Sequence, residues 1–295
     1  MTSTPFGRMV TAMVTPMHDD GSIDYDGVQQ LASYLADHGN DGLVVNGTTG
    51  ESATTTDEEN VETVRAVVEA VGDRVRVTAG VGTNDTAHSC HAAEALAGAG
   101  AHAALIVTPY YNKPPQDGIV EHFRAVCSAT GLPAMAYDIP GRTGTALAGD
   151  TIRRLAQIPE IRAVKDAKGD FFAASELMHD TDLLWYSGDD VVNLPWLALG
   201  AVGCVSVVGH VAGSQYAELI AAMDRGDLAR AREIHTHLIP AVNAVMHTTQ
   251  GAIMAKAAMK LLGVIQSDFV RLPLLPATPE HLDVLREGLR RSGVL

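Results

Sequence analysis

Short apolar runs rich in β-branched residues recur along the chain: MVTAMVT at 9–15, GLVVNG at 42–47, RVTAGVG at 76–82, AALIVTP at 103–109, PAMAYDIP at 133–140, IRAVKDA at 161–167, LLWYSGDD at 183–190 and GCVSVVG at 203–209. Bounded by Gly, Pro or Asp, runs of this length predict buried strands. Between them the period changes. Val28, Leu31 and Leu35 fall at i, i+3 and i+7, as do Val61, Val64 and Val68, so each segment lays an apolar stripe along one helical face. Strand starts repeat at roughly 20 to 35 residues, the length of a βα unit, with no Pro/Gly/Ser-rich linker before about residue 210. Eight such units predict an α/β protein, a (β/α)8 TIM barrel. From about residue 212 the pattern reads as helix alone, in YAELIAAMDRG, LARAREIHTHLIPAVNAVMHT, AIMAKAAMKLLG and PEHLDVLREGLRR. We expect a catalytic barrel over 1–225 and a C-terminal helical appendage over 226–295. An open doubly wound sheet would normally carry a Gly-rich dinucleotide turn after its first strand, and MVTPMHDDGS at 13–22 is not one.

A barrel gives each strand end a meaning, because the sites of this fold form at the C-terminal rim. The residues just past the apolar runs include Thr48, Thr49 and Glu51, then Tyr110 and Tyr111, then Tyr137 and Arg142, then Lys165, Asp189 and Asp190. Lys165 is the most informative of these. Most lysines are solvated cations. A barrel interior instead desolvates the ammonium and lowers its pKa, which frees neutral amine to form a Schiff base with a ketone. Lys168 falls in the following polar turn and is the weaker candidate.

Imine chemistry moves protons, so a carrier is needed nearby. Tyr137 ends the strand next to that of Lys165 in barrel order, and its phenol, with a reference pKa of about 10, both donates and accepts. Thr48 and Tyr111 are candidate partners for it. In NGTTGES at 46–52, Gly47 and Gly50 let backbone N–H groups converge on an anion while Thr48 and Thr49 add hydroxyl donors, which suits a small carboxylate. A tight turn with a helix cap also explains that run. Arg142 in IPGRTG offers a planar fork for a second carboxylate, against the alternative of a surface ion pair. We read SGDD at 187–190 as the cap and first turn of the next helix rather than as paired catalytic carboxylates. His88, His91, His235 and His237 lack carboxylate partners at ligand spacing, so no metal is expected.

Composition narrows the class further. A chain of 295 residues with 46% hydrophobic content can bury a large core. Its net charge of -14, without a Lys/Arg-rich block, leaves neither a nucleic-acid surface nor a polybasic membrane anchor. Cys90, Cys127 and Cys204 are widely spaced and odd in number, which suits free thiols in a reducing compartment. The run MTSTPFGRMVTAMV lacks a basic start followed by a long apolar run, and no apolar stretch reaches roughly 18 residues uninterrupted by polar or charged groups. The expected location is the cytoplasm.

NGTTGES, TPYYNKP, YDIPGRTG and VKDAKGD, in this order at successive rim positions, resemble the dihydrodipicolinate synthase family, within the N-acetylneuraminate lyase superfamily of class I aldolases. The resemblance runs from GRMVTAMVTPM to the final helices. It implies that Lys165 forms the Schiff base with pyruvate and that Tyr137, Thr48 and Tyr111 form a proton relay. It further implies that Thr49 and the Gly47 turn hold the pyruvate carboxylate, that the backbone of Val205 lines the pyruvate pocket, and that Arg142 holds the carboxylate of L-aspartate-4-semialdehyde. No cofactor is implied. Tyr111 is implied to reach into a neighbouring subunit across a tight dimer, with two dimers forming a homotetramer. Departures from the commoner wording are small: Asp138 stands where many members have Asn, and Asp166 and Lys168 where many have Glu and Thr. In lysine-inhibited members the inhibitor lies near positions matching Ser52, Ala53, Asn84 and Tyr110, while their two histidines are here Asp57 and Asn60 and their glutamate is His88. Little feedback inhibition by L-lysine is therefore expected. Two other readings stand beside this one: a sister aldolase acting on a sialic or keto-deoxy sugar acid, and a non-catalytic barrel that binds an oxo-acid.

Overall fold

The structure, a computed structural model, describes residues 4–295. Its eight parallel strands are β1 (Met9–Ala12), β2 (Gly42–Val45), β3 (Arg76–Gly80), β4 (Ala103–Val107), β5 (Ala134–Asp138), β6 (Ile161–Asp166), β7 (Leu184–Ser187) and β8 (Gly203–Ser206). They pair in sequence order and β8 returns to β1, closing the barrel. Closure excludes the open doubly wound sheet. The helices between them are α1 (Tyr25–Asp37), α2 (Asp57–Val71), α3 (Thr86–Gly98), α4 (Gln116–Thr130), the one-turn α5 (Pro140–Thr143), α6 (Gly149–Leu155), α7 (Phe171–Asp180), α8 (Asn193–Leu199) and α9 (Gly209–Asp224). Beyond them lie α10 (Leu228–Met246), α11 (Gly251–Leu261) and α12 (Pro279–Arg291).

The period-2 pattern sorts the core into two layers. Residues such as Val10, Val44, Leu105, Met135, Ala163 and Val205 fill the barrel interior, and the opposite strand faces join the helical stripes, including Val28, Leu31, Leu35 and Val64, in a larger outer core. Because Lys165 shares parity with Ala163, and Tyr137 with Met135, both polar side chains are directed into the barrel. The helices start where the sequence offers acceptors. Thr56 and Glu59 form a reciprocal capping box on α2, and Asp24 accepts from the Gly27 N–H at the start of α1.

The ladders are shorter than the apolar runs, and the reason lies at the rim. Past β1 the Val14 N–H turns to His210 Nε2 at 3.1 Å, and past β8 the Val207 and Val208 N–H groups turn to Asp190 at 2.8 and 2.9 Å. Side-chain acceptors there replace strand neighbours, and the chain bends into the loops that form the site. The final barrel helix begins at Gly209, earlier than the pattern placed it, and bends at Ala212.

Candidate active site

Lys165 and Tyr137 occupy facing positions in the β5–β6 ladder, and the Lys165 Nζ stands 4.0 Å from the centroid of the Tyr137 ring. Gly188 makes room beside them. A Cβ at that position would meet the Asp166 carbonyl oxygen at 2.9 Å and Lys165 Cγ at 3.0 Å, so the β7 end can pass close to the lysine stem only without a side chain. Burial pulls the Lys165 amine from its ordinary 10.5 down to about 7. Asp190 favours the charged form and Arg142 opposes it, but desolvation dominates. The same burial pushes the Tyr137 phenol up to about 12, although Arg142 partly stabilises the phenolate. The pair is thus a half-neutral amine beside a phenol that keeps its proton near neutrality. Such an amine can attack a carbonyl, and such a phenol can shuttle protons.

Above them opens a cavity of about 730 Å³ whose wall includes Gly47, Thr48, Thr49, Tyr111, Arg142 and Lys165 with Tyr137. Thr48–Gly50 form a short 3-10 turn directly after β2. Gly80 on the neighbouring strand lets this turn close, since a Cβ there would sit 2.2 Å from the Asn46 carbonyl oxygen. Tyr111 lies on the loop after β4 with φ 72 and is 87% exposed in the single chain. A bulky residue rarely adopts that backbone conformation unless its surroundings require it. Its N–H donates to the Thr143 carbonyl at 3.2 Å, which ties the tyrosine loop to the turn carrying Arg142. Arg142 itself is exposed at the cavity rim, and none of the ion pairs among the described residues includes it. Its fork is therefore open to a ligand. Val205 is packed in the inner cluster of the barrel, outside the residues that line this cavity. Lys168 lies in the turn after β6 and lines no part of it.

SGDD forms a cap and first turn, with Asp189 at the cap and Asp190 in the first turn. Asp189 caps the next turn by accepting from the Val191 N–H at 3.2 Å. Asp190 is different: it is buried and accepts from the Ser206 hydroxyl, the Val207 and Val208 N–H groups and Asn193 Nδ2. It thereby holds the end of β8 while placing negative charge near Lys165. No periodicity could reveal this, because its partners lie on a neighbouring strand. One position further along the same ladder, Asp138 and Asp166 pair at the strand ends, on the parity opposite to Tyr137 and Lys165. Burial pushes the Asp138 carboxyl up to about 7, with Asp166 adding to the rise and Lys168 opposing it.

At its outer end the cavity reaches Asp57, Asn60 and His88, between α2 and α3. His88 Nε2 lies 3.0 and 3.1 Å from the two Asp57 oxygens, so these residues engage each other. No group of three or more His, Cys, Asp or Glu among the described residues could share a metal ion, and no helix among them is long and apolar enough to cross a membrane.

A desolvated lysine and a tyrosine paired at the rim of a (β/α)8 barrel, under a cavity lined by Thr48, Thr49 and Arg142, fit a Schiff-base lyase of the class I aldolase type. Comparison with known proteins gives the family. The chain belongs to the Dihydrodipicolinate synthetase family, whose model matches residues 5–291. It is 55% identical over 290 residues to the 4-hydroxy-tetrahydrodipicolinate synthase of Kineococcus radiotolerans, covering 98% of this chain and 94% of that protein. Among solved structures, the lysine-bound enzyme of Cyanidioschyzon merolae superposes with a TM-score of 0.96 at 40% identity, covering 99% of this chain and 100% of that one. The pyruvate complex of the Acinetobacter baumannii dihydrodipicolinate synthase does so with a TM-score of 0.94 at 34% identity, covering 99% and 100%.

Proposed function

We propose that this protein is a 4-hydroxy-tetrahydrodipicolinate synthase that condenses pyruvate with L-aspartate-4-semialdehyde on Lys165. The observation that carries this is the lysine amine brought down to about 7 beside Tyr137, under a cavity rimmed by Thr48, Thr49 and Arg142. The neutral Nζ attacks the ketone carbon of pyruvate, water leaves, and an iminium links substrate to enzyme. Loss of a methyl proton gives the enamine, whose carbon bonds to the aldehyde carbon of the semialdehyde. The semialdehyde amine then adds to the imine carbon, closing the ring and releasing Lys165. Tyr137, Thr48 and Tyr111 carry the protons, and no cofactor is consumed. Thr49 and the Gly47 turn hold the pyruvate carboxylate, while Val205 packs in the inner cluster outside the lining of this cavity.

The reading is tested by incubating the protein with pyruvate and either the semialdehyde or a sialic or keto-deoxy sugar acid. Product is expected from the first pair alone; turnover of the sugar acid instead would identify a sister aldolase, and turnover of none a binding barrel. Arg142 is the group that selects the second substrate. Arg142→Ala should raise the KM for the semialdehyde by about tenfold or more with little change for pyruvate, because a charge-assisted pair contributes roughly 1.5 to 3 kcal/mol. Equal effects on both substrates would remove that role.

We place the protein in the cytoplasm as a homotetramer, a dimer of tight dimers in which Tyr111 completes the partner's relay. Its exposure and unusual backbone in the single chain support this. Mixing Tyr111→Phe with Lys165→Ala protein should restore some turnover through hybrid sites, whereas none despite proven subunit exchange would mean a self-contained site. The His88 and Asp57 pair bears on feedback. An imidazole cannot supply the anion that an ammonium needs, and Asp57 is already engaged. L-lysine at about 1 mM, a level that requires binding of roughly -4 kcal/mol, is expected to leave the initial rate nearly unchanged near the substrate KM. Clear inhibition below that level would show that Asp57 serves the ligand.

A further inference from the structure

Behind the Thr48–Gly50 turn lies a set of four charges, Glu51 and Lys256 buried and Arg271 and Glu59 half-buried, that the proposed chemistry does not use. Glu51 directly follows the 3-10 turn of Thr48–Gly50, has left-handed backbone angles of φ 60 and ψ 32, and donates its N–H to the Thr48 carbonyl at 3.2 Å. Its carboxylate points away from the cavity. Oε1 meets Lys256 Nζ of α11 at 2.5 Å, with the two side chains 2% and 0% exposed, and Oε2 accepts from the Arg271 N–H at 2.9 Å. Lys256 Nζ also donates to the Phe269 carbonyl at 2.7 Å. Arg271 donates in turn to the carbonyls of Gly21 and Thr54 and to both oxygens of Glu59 in the first turn of α2. Two cations and two carboxylates thus balance, and one network joins the loop after β1, the turn after β2, the start of α2 and the C-terminal region.

An apolar pair would fill the space of Lys256 and Glu51 with comparable stability, because the desolvation cost of two buried charges offsets most of their attraction. What apolar contact lacks is direction. Glu51 occupies a backbone region that non-glycine residues seldom enter, and only its side chain and the flanking hydrogen bonds hold it there. Fixing Glu51 fixes the turn, and the turn carries Thr48 and Thr49. The Gly50 carbonyl is held separately, by the Thr15 hydroxyl at 2.7 Å, so the turn is clamped from the barrel side as well.

We infer that Lys256 and Arg271, acting through Glu51, are positioning residues that hold the Thr48 and Thr49 turn in its substrate-binding geometry, so that the C-terminal helical region is part of the active-site support. The inference rests on the proposed pyruvate chemistry for its kinetic meaning, but the positioning is testable without it. Lys256→Met alone leaves a buried carboxylate unpaired, so the informative variant is Glu51→Gln combined with Lys256→Met, which removes both charges. Glu59→Gln is the second variant: Gln still caps α2, but it offers Arg271 no charge. Amide hydrogen exchange at Glu51 and Thr54 should quicken about tenfold in the double variant, and the pyruvate KM should rise about tenfold with the semialdehyde KM unchanged, because a small displacement of a positioning group is amplified at the site. Glu59→Gln should shift both readouts the same way by about threefold, since it loosens only one end of the network. Wild-type exchange and wild-type pyruvate KM in the folded double variant would overturn the inference. Should the double variant not fold, the same pair of results in Glu59→Gln decides. Faster exchange in variants of a wild-type protein that turns over no pyruvate would uphold the positioning and sink the pyruvate reading instead.

Discussion

Lys165→Ala is expected to abolish the covalent adduct that borohydride traps from pyruvate and to lower turnover by roughly 10⁴-fold or more, the scale on which losing a covalent nucleophile acts. The physical basis is the state of the amine. At pH 7 about half of Lys165 is neutral, against on the order of 1 in 3,000 for a lysine left at its ordinary 10.5. The sign follows from the direction of the shift: the folded amine has lost affinity for its proton, so the reactive form is present above about pH 7 and is titrated away below it. Trapping at fixed pyruvate should therefore accelerate as pH rises through about 7 and level off above. Mapping the adduct to the peptide containing Lys168 or Lys113, or finding a midpoint near 10, would displace Lys165 from the role.

Tyr137→Phe should lower kcat by about 10² to 10⁴-fold, the usual span for removing a general acid–base group, with the pyruvate KM changed much less. The substitution keeps the ring that packs 4.0 Å from the Lys165 Nζ and deletes only the hydroxyl. Packing is thus preserved while proton transfer is lost. With the phenol pushed up to about 12, wild-type Tyr137 remains protonated across the working range and acts first as a donor, so no fall in rate from its ionisation is expected below about pH 11. Borohydride should still trap pyruvate on Lys165 in this variant, at a slower rate. A variant that retains wild-type kcat would show that the protons travel by another path.

Much of this enzyme is legible along the chain because burial alone decides it. The apolar runs at 9–15, 42–47 and 161–167 recur at the spacing of βα units, and water excludes such runs whatever their neighbours, so the barrel follows from local pattern. Parity does the same for single residues: Ala163 and Lys165 share a face, hence the lysine is directed inward. The rim motifs could be named because strand ends in a barrel converge on one place. The ladder ends, the start of the last barrel helix at Gly209 and the roles of individual carboxylates were not legible in this way.

What the sequence by itself determined is the order of elements, the direction each side chain faces and the family to which the rim motifs belong. Tertiary structure alone decided which polar groups meet. Asp189 and Asp190 are neighbours in a run that reads as one helix cap, yet only Asp190 reaches Ser206, Val207 and Val208 and sets charge beside Lys165. His88 and Asp57 read as two separate departures from lysine-sensitive relatives, and folding pairs them. Glu51 and Arg271 stand 220 residues apart and share a hydrogen bond. The physical reason is common to all three. Hydrophobic periodicity records only whether a position is buried, a property that is nearly independent of partner, whereas a hydrogen bond or ion pair depends on distance and angle between chosen atoms. Those distances exist only once the barrel has closed and its register has been set.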